Sequence, residues 1–145
     1  MIEAVGERYW PAYFTAIDRL LARGGRAGLQ VITMPHDRML ATRGGHTWIH
    51  QYIFPGGQIP SLQAITGTLR EHTSLRVTAD YPMGPHYART LAEWRTRFLA
   101  AVAQVGQLGF GPTFQRMWNL YLAYSEAGFR AHYLNVHQLI LERPS

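Results

Sequence analysis

A chain of 145 residues with 47% apolar side chains is one domain's worth of sequence, able to bury a core and too apolar to be disordered. It has no cysteine, which excludes disulfides and thiolate metal sites. No run approaches the roughly 18 apolar residues of a membrane span and no signal peptide opens the chain, so a cytoplasmic location is expected. All 14 basic residues are arginine, and the net charge of +5 favours an anionic partner, either nucleic acid or an acidic membrane surface. The arginines are scattered without a basic, aromatic-interleaved motif, which argues against nucleic acid.

In chain order, Tyr9, Trp10, Tyr13, Phe14, Ile17, Leu20 and Leu21 recur at helical spacing, and Gly24-Gly25 stops that helix. Ala27 to Met34, with β-branched Val31, Ile32 and Thr33, reads as a buried strand ended by Pro35. His46 to Ile53 reads as a short helix broken at Phe54-Pro55-Gly56-Gly57. Ser61 is placed to N-cap a helix carrying Leu62, Ile65 and Leu69. Leu75, Val77 and Ala79 alternate as a second strand. Pro85 opens a long helix with Tyr87, Leu91, Trp94, Phe98, Val102 and Val105 on one stripe. After Gly109 to Pro112, a further helix runs from Phe114 to about Arg130, and Leu134 to Leu141 is a last strand. The pattern is an α/β fold with three strands. It opens on a helix with no strand before it, as though cut through a domain.

The residues alone give little chemistry. No zinc-protease, nucleophile-elbow or phosphate-loop motif is present, and the paired glycines do not form a dinucleotide-binding turn. His46 and His50, four apart, can share a helical face, but no carboxylate lies near to complete a metal site. His36-Asp37 follows a strand's carboxyl end, where open α/β sheets bind ligands; a loop capped by Asp explains it equally.

Several stretches carry a resemblance. Ile2-Glu3-Ala4-Val5-Gly6, Tyr52-Ile53-Phe54-Pro55-Gly56-Gly57 with Ile59-Pro60-Ser61, and Gly84-Pro85-His86-Tyr87 with Thr90-Leu91 and Trp94 occur in that order. Ala127-Gly128-Phe129-Arg130 and Val136-His137-Gln138 follow. Together they resemble the cyclopropane-fatty-acyl-phospholipid synthases and the related mycolic acid cyclopropane synthases over nearly the whole chain. The resemblance implies the C-terminal part of a Rossmann-like class I methyltransferase sheet across residues 1–145. Its last strand should run antiparallel between the other two, and the strand at Gly28 to Thr33 should keep one unpaired edge.

The resemblance also implies chemistry. S-adenosylmethionine would methylate a cis double bond in an unsaturated phospholipid acyl chain, giving a carbocation that loses a proton and closes to a cyclopropane. A bound bicarbonate would be the base. Glu3 falls on the family's bicarbonate-binding glutamate, Tyr87 on its tyrosine, and Ile32 on the isoleucine that offers its amide. Gln30 stands where many members have a histidine; its amide donates a hydrogen bond but cannot titrate. That departure leaves a methyl- or methylene-branched product open beside the ring. The family's cysteine ligand and Gly-rich cofactor turn have no counterpart in these residues. The isolated chain is therefore expected to be inactive, and the open strand edge to take either the rest of a methyltransferase domain or a second copy. The implied place of work is the inner face of the membrane.

Overall fold

The computed structural model describes residues 1–45 and 47–145. They fall into two compact units, Met1–Met83 with Leu134–Ser145, and Gly84–Tyr133.

The first unit is built on three strands: β1 (Arg26–Thr33), β2 (Arg76–Pro82) and β3 (Asn135–Glu142). Their order is β1-β3-β2, and β3 is antiparallel to both neighbours. The expected arrangement, with the last strand between the other two, is the one found. β1 pairs on one side only among the described residues, with Gly28 opposite Ile140 and Ile32 opposite Val136. Its period-two pattern buries Leu29, Val31 and Thr33 and leaves Gly28 and Gln30 exposed, as a strand covered on one face must.

The covering layer comes from α2 (Trp10–Leu20) and α5 (Leu62–His72). Trp10, Phe14, Ile65 and Leu69 meet Val31 and Leu139 in one core, each large side chain contributing about 1.5–3 kcal/mol by leaving water. Ser61 caps α5 as its position predicted, its hydroxyl oxygen accepting the Ala64 N–H at 3.0 Å. α2 ends at Leu20, before the glycines. The turn they form instead joins β3, the Gly24 N–H donating to the Arg143 carbonyl at 2.8 Å.

Two local readings change in this unit. His36 opens a helix, α3 (His36–Thr42), where a loop was expected; it has too few residues to show a helical repeat. The helix expected over His46 to Ile53 is the shorter α4 (Trp48–Tyr52), started by Thr47 and His50 bonding each other's backbone N–H groups. His46 lies outside the described residues. Before α2, α1 (Ile2–Val5) and a single 3-10 turn, Glu7–Tyr9, form the opening segment.

The second unit is helical: α6 (Gly84–Ala100), α7 (Val102–Gln107) and α8 (Pro112–Arg130). The single long helix expected from Pro85 past Val105 is broken at Ala101. α6 and α8 bury Ala88, Leu91, Leu122 and Phe129. Glu126 ties the pair together, bonded to Arg130 at 2.7 Å and to Arg95 at 3.2 Å. Trp94, expected on the buried stripe, is 47% exposed.

Candidate functional site

Glu3 stands in the first turn of α1, which the buried Trp10 indole holds by donating to the Ile2 carbonyl at 3.2 Å. The Glu3 Oε1 accepts the backbone N–H of Ile32 at 2.6 Å. That amide faces away from β3, because Ile32 and Val136 are a pair whose backbone groups point outward. Further along the same edge, the Met34 N–H donates to the Pro60 carbonyl at 3.1 Å. The carboxyl end of β1 is thus capped by a carboxylate and a loop, while on this edge, away from β3, Gly28 and Gln30 have no strand beside them among the described residues.

The motif segments around Glu3 hold it there. Its carbonyl accepts the Gln58 N–H at 2.7 Å. Gly6 has φ +74°, and a Cβ built on it would sit 2.9 Å from the Gly56 carbonyl oxygen. A Cβ on Gly57 would sit 3.0 Å from the Glu3 carbonyl oxygen. Glycine is needed at both places for two backbones to touch. The Val5-Gly6 and Pro55-Gly56-Gly57 stretches are therefore two halves of one contact.

Gln30 lies two residues before Ile32 on β1, on the face opposite Val31. Its Oε1 accepts the Gln138 side-chain N–H at 3.1 Å, a neutral cross-strand pair. Tyr87 belongs to the helical unit. It is half-buried, with ring centroids 5.0 Å from Phe129 and 6.1 Å from Trp94, both edge-on. Nearby, burial pushes the Tyr121 hydroxyl above its ordinary range, and the neighbouring Tyr87 adds to the rise, against a lowering hydrogen bond from Ser125. Of the four site residues expected from sequence, Glu3 and Ile32 touch, Gln30 shares the strand of Ile32, and Tyr87 sits in an aromatic cluster of its own unit.

Sequence reasoning missed two polar pairs. His36 Nδ1 lies 2.7 Å from the buried Ser61 hydroxyl, and the buried His137 lies 2.6 Å from Asp80 across β3 and β2. Ser61 was legible only as a cap; alternation in β3 gave no sign that His137 would face inward to a carboxylate. No group of three or more potential metal ligands exists among the described residues. The His50 ring serves the α4 cap and lies 2.9 Å from the Gly45 carbonyl.

The family described as mycolic acid cyclopropane synthetase matches residues 1–139. The chain belongs to this family. It is 55% identical over 143 residues to the tuberculostearic acid methyltransferase UfaA1 of Mycobacterium tuberculosis, covering 99% of this chain and 34% of that protein. It is 30% identical to the cyclopropane-fatty-acyl-phospholipid synthase of Escherichia coli, covering 99% of this chain and 36% of that one. The crystal structure of mycolic acid cyclopropane synthase CmaA1 complexed with SAH and CTAB superposes with a TM-score of 0.84 at 26% identity, over 97% of this chain and 52% of that chain. The family is one of S-adenosylmethionine-dependent methyltransferases, and the three strands are part of their class I α/β fold. The chain spans about a third of the length of the curated relatives it matches and about half that of CmaA1.

Proposed function

We propose that this chain contributes to methyl transfer from S-adenosylmethionine to the double bond of an unsaturated phospholipid acyl chain. The observation that supports it best is the meeting of Glu3 with the Ile32 amide at 2.6 Å. The two lie far apart in sequence, and both fall on family positions that bind one small anion. They meet at the carboxyl end of a strand, where open α/β sheets take ligands. A bicarbonate fits this donor set. The Ile32 N–H is given to Glu3 in this structure, so a bicarbonate would take the place of that bond, accepting from the Ile32 N–H while the freed Glu3 oxygen accepts the bicarbonate proton. Bound there, bicarbonate would supply the base that removes a proton from the alkylated acyl chain; Glu3 orients it and the Ile32 amide steadies its charge.

The described residues offer no Gly-rich turn for the cofactor. A polypeptide of these 145 residues alone is expected to bind no S-adenosylmethionine at millimolar concentration in a calorimetric titration. A micromolar Kd would overturn that division of labour. In the chain extended to the length of its relatives, methyl transfer from labelled S-adenosylmethionine to vesicles with monounsaturated acyl chains is the direct test, and no transfer would defeat the reading.

A second reading concerns the product. Proton loss with ring closure gives a cyclopropane; after a hydride shift, loss from the new methyl leaves a methylene branch. Gln30, neutral and bonded to Gln138, replaces a titratable histidine of the family, and the 55%-identical relative is named for a branched acid. These favour the branch. Proton NMR of the extracted lipid separates upfield ring protons from olefinic methylene protons.

A further inference from the structure

We propose that the helical hairpin between Arg97 and Arg116 is a membrane-docking element that seats Leu108 and Phe110 among the acyl chains of a bilayer. This rests on the reading that the chain works on phospholipid, and it names where the protein meets that surface.

Residues 98–115 carry no charged side chain, although they cover the end of α6, all of α7 and the start of α8. This stretch is mostly exposed. At its turn Leu108 is 75% exposed and Phe110 46%. One exposed leucine is ordinary, but an exposed leucine and phenylalanine together at the turn of a stretch without charge suit contact with an apolar medium. Three N–H groups of this tip, the turn between α7 and α8, are bonded to carbonyls of α7. The Leu108, Gly109 and Phe110 N–H groups donate to the Gln104, Gly106 and Val105 carbonyls at 3.2, 3.0 and 3.3 Å. The Gln115 amide donates to the Phe110 carbonyl at 2.9 Å. Each polar group bonded in this way lowers the cost of bringing the turn into an apolar medium.

The rim suits a phospholipid headgroup layer. Arg97 and Arg116 are exposed and make no ion pair among the described residues, whereas Arg95 and Arg130 are held by Glu126. Arg116 lies about 6 Å beyond the start of α8, with the turn past that start. A guanidinium at headgroup level therefore leaves the tip within the ~5–10 Å reached by interfacial elements. Behind the tip, Phe110, Phe114, Trp118 and Tyr121 form a ladder with centroids 4.7, 5.8 and 5.0 Å apart, and tryptophan and tyrosine favour that boundary. A second copy of the same tip would bring arginines against arginines, so the rim favours lipid.

The chain has no cysteine, so Leu108→Cys gives a unique site for an environment-sensitive fluorophore. On vesicles of saturated phosphatidylglycerol its emission is expected to shift to the blue, while the same label at Leu20→Cys, on the sheet unit, stays as in water. Replacing Leu108 and Phe110 together by Asp should weaken co-sedimentation with these vesicles at least about tenfold, with an unchanged thermal transition. Arg97→Gln with Arg116→Gln should weaken binding and flatten its salt dependence. An unshifted label, or equal sedimentation of the double Asp variant, overturns the proposal. So does a double Asp variant that loses self-association in light scattering instead of vesicle binding, which would assign the tip to a second copy. Saturated lipid has no double bond to alkylate, so docking can succeed where methyl transfer fails. Methyl transfer with an unshifted label would sink docking alone.

Discussion

The aromatic side chains of α2 and those of the helical unit are covered to different degrees. In the sheet unit Trp10 and Phe14 point from α2 into the core and are fully buried. In the helical unit Trp94 and Tyr124 stand partly in solvent on equally regular helices, and Phe110 does so in the turn between two of them. Helical periodicity reports which residues share a face; whether that face is covered depends on having a partner layer. α2 has the sheet beneath it, and the outer faces of α6 and α8 have no such layer within their unit.

The largest expected effect is in the covered unit. Phe14→Ala should destabilise it by about 3–5 kcal/mol, through lost transfer energy and a cavity, whereas Phe110→Ala should change stability by less than about 0.5 kcal/mol. Denaturant titration of both variants reads the contrast directly, and equal losses would break it.

Next comes Tyr87, a partly buried aromatic with a proposed chemical task. In the length-completed enzyme, Tyr87→Phe should raise the barrier to methyl transfer by about 2–4 kcal/mol, as removal of one fixed donor does, with cofactor affinity nearly unchanged. A purely packing tyrosine would lose only about 1 kcal/mol with its hydrogen bond. Glu3→Gln should follow Tyr87→Phe. Near-normal turnover by both variants would remove these residues from the site while leaving the family assignment intact.

Gly6→Ala tests the backbone contact that holds Glu3. With φ at +74° and a backbone oxygen 2.9 Å from the new Cβ, it should cost about 1–3 kcal/mol. Gly24→Ala, with a similar φ but nothing near its Cβ, should cost less. Urea midpoints for the two variants decide whether the close approach matters beyond the dihedral angle.

The smallest effects are electrostatic and occur in both units. The Ser74 backbone N–H, then its hydroxyl and Arg143, hold Asp18 below the usual carboxylate range. Arg130 first, and then Arg95, do the same for Glu126. A carboxyl with a depressed folded-state pKa adds stability above its unfolded value and loses it as pH falls through the folded one. Acidification below pH 4 should therefore weaken both units. Glu126→Gln should flatten that dependence, read as the slope of melting temperature against pH.

Much of the fold was legible because local signals agreed. The β-branched run at Val31 to Thr33, the Ser61 cap and the glycine stops all mark real boundaries, to within a few residues. The break at Ala101 was not legible, since neither proline nor glycine marks it and the apolar spacing continues through. α3 was missed for the opposite reason, being too short to show a period. At the site, Glu3 was legible only through resemblance to a family; in composition it is one carboxylate near a chain start. Its contact was invisible for a physical reason: the partner is the Ile32 backbone N–H, which every residue but proline carries. Gln30 was read from the sequence as a neutral substitute, and its pairing with Gln138 depends on strand register, which only the sheet reveals.

The position of β3 sets a timetable for synthesis. It is the last strand in the chain and the only one bonded to both others among the described residues, with Arg26 and Arg76 both opposite Glu142. A ribosome delivers β1 and β2 long before the strand that joins them. Until residues 135–142 emerge, neither has β3 beside it, and the edges that β3 will cover are bare backbone. Contacts so distant in sequence also close slowly. The pairing of these three strands is therefore completed only when the last of them has been made.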